Sequence, residues 1–167
     1  YNESANIVET VKQWYPVVEK INGIDGCEAM LAIANDGSKD DTYQVMMGLK
    51  SGGAYPYFEP INKENGGHGQ TVLFLYRHAL NNGADYIFQT DSDGQTNPAE
   101  FDAFWQLRGD YTGIFGKRTV RGDGKDRAFV EKVVCLLLKI FFNVNVPDAN
   151  APFRLMRTDS VKKYLYK

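Results

Sequence analysis

Short apolar runs alternate along this chain with longer segments of helical periodicity. That alternation leaves few foldable arrangements. A strand, a helix and another strand pack best as a right-handed crossover, which builds a mostly parallel sheet with helices on both faces. Ile7, Val8, Val11, Trp14, Val18 and Ile21 recur at helical spacing after Ser4, which can cap the helix. Pro16 within that pattern is expected to kink or end it. Residues 28–34 (EAMLAIA) read as a strand buried on both faces. A helix follows through Tyr43, Val45, Met46 and Leu49, with Ser38 or Asp40 as its cap. Residues 55–61 read as a strand, and Pro56 and Pro60 place it at an edge or in an irregular position. Further helices are expected at 70–81, 98–108 and 129–142, with strands at 86–88 and 111–116. Strand-like residues then lead to a short final helix capped by Thr158 or Asp159. The fold class expected is α/β: one domain over 1–167, without internal repeat or linker.

Each strand end carries residues suited to a ligand. Asp91-Ser92-Asp93-Gly94-Gln95 follows the 86–88 run and precedes a helix start at Asn97-Pro98. In an open α/β sheet that edge is where ligands bind. Two carboxylates two residues apart point the same way in extended backbone, and hard oxygen donors suit a divalent cation holding phosphate. A polar surface turn fits the same residues, and on this stretch alone the two readings stand level. Asn35-Asp36-Gly37-Ser38-Lys39-Asp40-Asp41-Thr42 joins a strand end to a helix start, and Asp36 can accept from a base N–H or a ribose hydroxyl. A plain capped turn explains it too. Asn65-Gly66-Gly67-His68-Gly69 lets backbone come close to a ligand, with Gly67 the expected contact, and the helix after it offers free N–H groups to phosphate. It is no Walker loop, since Lys-Ser/Thr does not follow the last glycine. Residues 119–127 are polar and glycine-bearing, as expected of a loop that orders over a ligand.

Charge is uneven. Residues 1–116 hold 7 Lys and Arg against 16 Asp and Glu, whereas residues 117–167 hold 12 against 5. The acidic part suits a metal, and the basic part an anionic partner such as phosphate or a lipid head group. The longest apolar run, 133–142, is too short to span a bilayer and contains Lys139, and no secretory signal is visible. Cys27 and Cys135 lack zinc or redox spacing and read as buried free thiols, which fits a reducing cytoplasmic setting.

Taken in order, Tyr1-Asn2-Glu3, the 35–42 turn, the 65–69 loop, Asp91-Ser92-Asp93-Gly94-Gln95 and Gly116-Lys117-Arg118 closely resemble the motif series of the family 2 glycosyltransferases of the GT-A fold. Asp-x-Asp followed by Gly-Gln, and then Gly-Lys-Arg, is most similar to their dolichyl- and polyprenyl-phosphate sugar synthases. The resemblance spans essentially the whole chain. It implies metal-dependent, inverting sugar transfer from a UDP- or GDP-sugar to a lipid phosphate. It implies that Tyr1, Asn2, Glu3 and Asp36 hold the nucleoside and that Asp91 contacts ribose or helps place the metal. Asp93 and Gln95, beside Asp91, would ligate Mg²⁺ or Mn²⁺. Arg118, with Arg127 as a weaker candidate, would hold the acceptor phosphate. With a saccharide hydroxyl as acceptor, Asp148 is the candidate base, although a loop-capping role fits it equally.

Departures are present. Asn35 stands where the family usually has Asp, His68 and Gln70 sit in the glycine loop, and Pro152 replaces a glycine before Phe153-Arg154. The Gln-x-x-Arg-Trp segment of processive polysaccharide synthases is absent. The chain opens on a loop where a strand is expected, so the domain reads as truncated at its N-terminus and open to truncation at its C-terminus. Other readings are a transferase acting on a saccharide hydroxyl in cell-surface polysaccharide synthesis, a nucleotidyltransferase and a non-catalytic sugar-nucleotide-binding module. A nucleotidyltransferase would carry its glycine-rich loop after the first strand. No nucleic-acid partner is expected. Contact with the cytoplasmic face of a membrane is.

Overall fold

The computed structural model describes residues 1–92, 94, 96–117 and 125–165, the side chains of 125–131 and 142 excepted. Helix α1, Ile7–Asn22, packs across two sheets. One side, Ile7, Val11 and Tyr15, meets Met46 of helix α2 (Thr42–Ser51) and Phe58 of strand β2 (Phe58–Lys63). The other side, Trp14 and Ile21, meets Phe101 of helix α4 (Phe101–Gln106) and Phe153. The apolar positions recur at three- and four-residue spacing, so a single helix serves both cores.

Pro16 does not end this helix, which runs six residues beyond it to Asn22. An interior proline costs ~3 kcal/mol. Burial of Trp14, Tyr15, Val18 and Ile21 around it contributes about 1.5–3 kcal/mol per side chain and outweighs that cost. Ser4 does not cap the helix. Asn6 occupies that place without a side-chain bond, and the Ser4 N–H donates to Asp40 instead.

Strand β1, Leu31–Asp36, pairs in parallel with β2, Leu31 opposite Phe58 and Asp36 opposite Lys63. Both strands lie two to three residues later in the chain than expected. They run on through polar residues because Asn35 and Asp36 find partners directly across, in Asn62 and Lys63. In consequence the buried end of β1 is the polar one, and Leu31 to Ala34 are half-buried. Pro60 sits in β2, whose one strand neighbour among the described residues is β1, as an edge position requires.

Strands β3 (Tyr86–Gln89), β4 (Gly113–Phe115) and β5 (Arg154–Arg157) form a second sheet in the order β3-β5-β4. β5 is antiparallel to both neighbours, so the parallel pattern expected of the sheet holds for β1–β2 and for the shared direction of β3 and β4, and is broken at β5. The cause is the excursion between β4 and β5. It leaves at Gly116 and returns at Phe153, whose carbonyl accepts the Gly116 N–H at 2.8 Å. Chain that leaves and re-enters one edge must come back reversed.

Helix α3 (His68–Asn81) contacts β1, and α6 (Thr158–Leu165) contacts β5. Helix α5 is Lys125–Phe142. The helix expected at 98–108 splits into a 3₁₀ turn at Pro98–Glu100 and the short α4, leaving Leu107 exposed. Cys27 and Cys135 are free, as expected, but only half-buried. An aromatic cluster closes the second core. Phe88 lies edge-on to Phe153 (4.7 Å) and to Phe101 (4.9 Å), and Phe104 to Phe153 (5.0 Å). Such pairs add about 0.5–1.5 kcal/mol each beyond burial. We expect Phe58→Ala, at a fully buried site, to cost about 3–5 kcal/mol in denaturant unfolding. Tyr111→Ala, at an exposed site, should stay within about 0.5 kcal/mol.

Candidate active site

The first sheet ends in a carboxylate held from three directions. The Asp36 side chain accepts the Lys63 ammonium and the Gly66 N–H on one oxygen, and the Gly67 N–H at 2.9 Å on the other. Its own carbonyl accepts from the Asn65 side-chain amide at 2.8 Å. Lys63 also reaches the Glu64 carbonyl (2.6 Å) and the Thr71 hydroxyl (3.3 Å). Burial alone would raise the Asp36 carboxyl, yet Lys63, the two glycine N–H groups and Thr71 hold it down at about 2. Gly37 makes the close approach possible. Its φ is +62°, and a Cβ there would stand 2.7 Å from the Asn65 backbone nitrogen. The β1 turn and the glycine loop are therefore one unit.

The N-terminal residues fasten onto that unit. The Asn2 N–H donates to the Ser38 hydroxyl (2.9 Å), and the Asn2 side-chain oxygen accepts the Lys39 N–H (3.0 Å). The Glu3 N–H donates to the Thr42 hydroxyl (2.9 Å) and the Ser4 N–H to Asp40 (3.2 Å). Asp40 also accepts the Thr42 hydroxyl, its strongest stabilising contact, and its carboxyl lies well below the usual carboxylate range. Asn2 takes a positive φ of 56°, which asparagine tolerates. The Glu3 carboxylate accepts from the Asn6 side chain, and Tyr1 is half exposed.

Asp91 lies just beyond the end of β3 and is half-buried. The Thr10 hydroxyl of α1 donates to the Ser92 carbonyl at 3.1 Å and ties this loop to the same helix that carries the N-terminal residues. Gln89 pairs with Arg154, and Arg154 with Phe115, so the ends of β3 and β4 and the start of β5 share one edge. Asp148 reaches that edge through the 148–153 turn. It is buried, and its carboxylate accepts the Asn150 N–H at 3.1 Å.

The structure thus brings Tyr1, Asn2, Glu3, Asp36 and Gly67 together, and sets Asp91 and Asp148 at the edge of the second sheet. Asp93, Gln95 and Arg118 lie outside the described residues, as does the side chain of Arg127. Among the described residues no group of three or more His, Cys, Asp or Glu could hold a metal ion. The Asp91 carboxylate is of the hard-oxygen class that Mg²⁺ and Mn²⁺ prefer.

Two cavities flank the unit. One, of about 610 Å³, is lined by Gly66, Gly67, His68, Tyr76, Gln89 and Arg154. The Gly66 and Gly67 N–H groups are already given to Asp36, and the Arg154 guanidinium donates to the Ala149 and Ala151 carbonyls, so what this cavity offers an anion is the positive charge of Arg154. The other, of about 500 Å³, is lined by Asn35, Ser38, Tyr43, Asn62, Lys63 and Glu64. The Asn35 amide donates to Asn62 at 2.8 Å, while its buried Oδ1 has no partner among the described residues. Sequence reasoning missed Lys63, Tyr76 and Arg154. Lys63 had a signal, since it stands at the end of a strand that pairs in register with β1.

The sequence matches the family described as Glycosyl transferase family 2 over residues 1–165. Among curated proteins no match was found.

The Asp36 contacts fix a pH dependence. Its carboxyl is lower in the fold than the ordinary 3.8, so its support is complete above that value and fades as pH falls toward about 2. In denaturant unfolding from about pH 5 to about pH 2, the wild type should lose more stability than Asp36→Asn, which should start lower at neutral pH. Equal slopes would contradict this assignment.

Proposed function

Since the chain belongs to glycosyl transferase family 2 and is a glycosyltransferase, we propose that it moves a sugar from a UDP- or GDP-sugar to a polyprenyl-type lipid phosphate, with inversion. The observation that carries the donor half of this reading is the joined unit of residues 1–4, 35–42 and 63–67. It offers fixed polar groups and glycine backbone beside two cavities. Tyr1, Asn2, Glu3 and Asp36 frame the nucleoside, and Gly67 lies against the phosphates. Asp36 is spent on Lys63 and two glycine N–H groups, so it serves the nucleoside first by fixing the loop around it.

A divalent cation, Mg²⁺ or Mn²⁺, would be held by Asp91, Asp93 and Gln95, and when bound it neutralises charge on the departing nucleoside diphosphate. The chain's own residues orient the donor. The sugar carbon passes through an oxocarbenium-like state, which favours preorganised dipoles over a strong nucleophile. A phosphate acceptor is already anionic and needs no base. It needs cations to aim it, and Arg118 suits a bidentate grip. The buried Asp148, whose carboxylate already accepts the Asn150 N–H, suits shaping the 148–153 turn better than meeting a sugar hydroxyl. That favours a lipid phosphate over a saccharide acceptor. The basic balance of residues 117–167 agrees with it. The same lipid acceptor would bring the enzyme to the cytoplasmic face of a membrane. No helix among the described residues is long and apolar enough to cross one.

Calorimetry with UDP- and GDP-sugars, with and without Mn²⁺, tests the donor half. Metal-dependent binding of at least one is expected, and binding of none would overturn the reading. Asp93→Ala should abolish metal-dependent turnover. Arg118→Ala should raise the KM for a polyprenyl phosphate by about 10- to 100-fold while leaving donor affinity unchanged.

A further inference from the structure

Helix α5 carries an apolar stripe on its outer side. Val133, Leu136, Leu137, Ile140 and Phe141 fall at alternating three- and one-residue steps, which is one face of a helix. All five are exposed, from 37% to 72%. Val134, Cys135 and Leu138, on the opposite side, are half-buried. The helix is therefore turned with its more apolar stripe toward solvent. Scattered exposed leucines need no explanation, but a contiguous stripe of this kind marks a contact surface.

Charge selects the occupant. Lys132 and Lys139 lie one heptad apart along one edge of the stripe, and both are exposed. From Lys132 to Phe142 the sequence holds no Asp or Glu. Residues 117–167 as a whole carry 12 Lys and Arg against 5 Asp and Glu. An apolar stripe bordered by lysines complements an anionic bilayer, where acyl chains meet a layer of negative head groups. The helix is not apolar enough to cross a membrane, so it would lie on the surface. Beyond its end, Val144 is also exposed, and residues 143–147 lead into the 148–153 turn at the edge shared with β3.

We propose that α5 seats the enzyme on an anionic membrane surface, with Val133, Leu136, Leu137, Ile140 and Phe141 in the head-group boundary and Lys132 and Lys139 on the lipid phosphates. The inference deepens the lipid-phosphate reading and rests on it for the choice of lipid over a protein partner. Such seating would present a membrane-borne acceptor to the site.

The test is sedimentation of the full chain with vesicles of phosphatidylcholine mixed with phosphatidylglycerol, against phosphatidylcholine alone. Binding is expected to the mixed vesicles and to weaken with salt. The double variant Leu136→Glu/Ile140→Glu should reduce it by about tenfold or more, and Lys132→Ala or Lys139→Ala by about fivefold each. These positions are exposed, so far-UV circular dichroism should be unchanged. Phe141→Glu gives an independent second variant. No binding to the mixed vesicles, or binding insensitive to these substitutions, would overturn the proposal. So would a dimer in lipid-free sedimentation velocity that Leu136→Glu/Ile140→Glu dissociates, since the stripe would then cover a second copy. Calorimetric binding of nucleotide-sugar in solution separates the two readings. Its loss in the wild type would sink the donor reading and leave the bilayer contact standing, whereas its presence without vesicle binding would do the reverse.

Discussion

The pairing of Asp36 with Lys63 and the Gly66 and Gly67 N–H groups is the contact on which the site depends. Taking a carboxylate out of water costs several kcal/mol unless charge and hydrogen bonds replace the lost solvent. Here an ammonium and two amides do so. Because two of those donors are backbone, the carboxylate determines the path of the glycine loop as well as balancing a charge. The 35–42 turn in turn holds Asn2, Glu3 and Ser4 through Ser38, Thr42 and Asp40. Three stretches far apart in sequence are thereby fixed by one group of bonds.

Helix α1 transmits this order to the second sheet. Its Thr10 hydroxyl holds the Ser92 carbonyl, and its Trp14 packs against Phe88 and Phe153. Phe88 lies two residues before Thr90, and Phe153 one residue before Arg154, so the same aromatic contacts position the loop after β3 and the start of β5. The edge bearing Asp91 and the edge bearing Asp36 are thus linked through packed side chains. In the proposed reaction one edge serves the donor nucleoside and the other the reacting groups.

Much of this was legible in the sequence. The α/β class followed from the alternation of apolar runs and helical periods, and the motif order gave the family that the match over residues 1–165 supports. Strand ends were less legible, because Asn35, Asp36, Asn62 and Lys63 look like loop residues until each is seen opposite its partner. The role of Asp36 was hidden for the same reason, since a free carboxylate reads as a ligand contact and a paired one as a brace. The direction of β5 had no local signal. It is set by where a long excursion returns, which composition does not record. A helix over 129–142 was legible, but not which of its faces meets solvent, because periodicity identifies a face without saying what covers it.

Amide hydrogen exchange at Gly66 and Gly67 tests the central claim most directly. If the Asp36 carboxylate organises the loop, both amides should be protected in the ligand-free protein relative to Gly26 and Gly109, exposed turn glycines whose N–H groups have no acceptor among the described residues, and Asp36→Asn should bring them close to those rates. Exchange at Gly66 and Gly67 as fast as at Gly26 and Gly109 in the wild type, or protection that survives Asp36→Asn, would contradict the account.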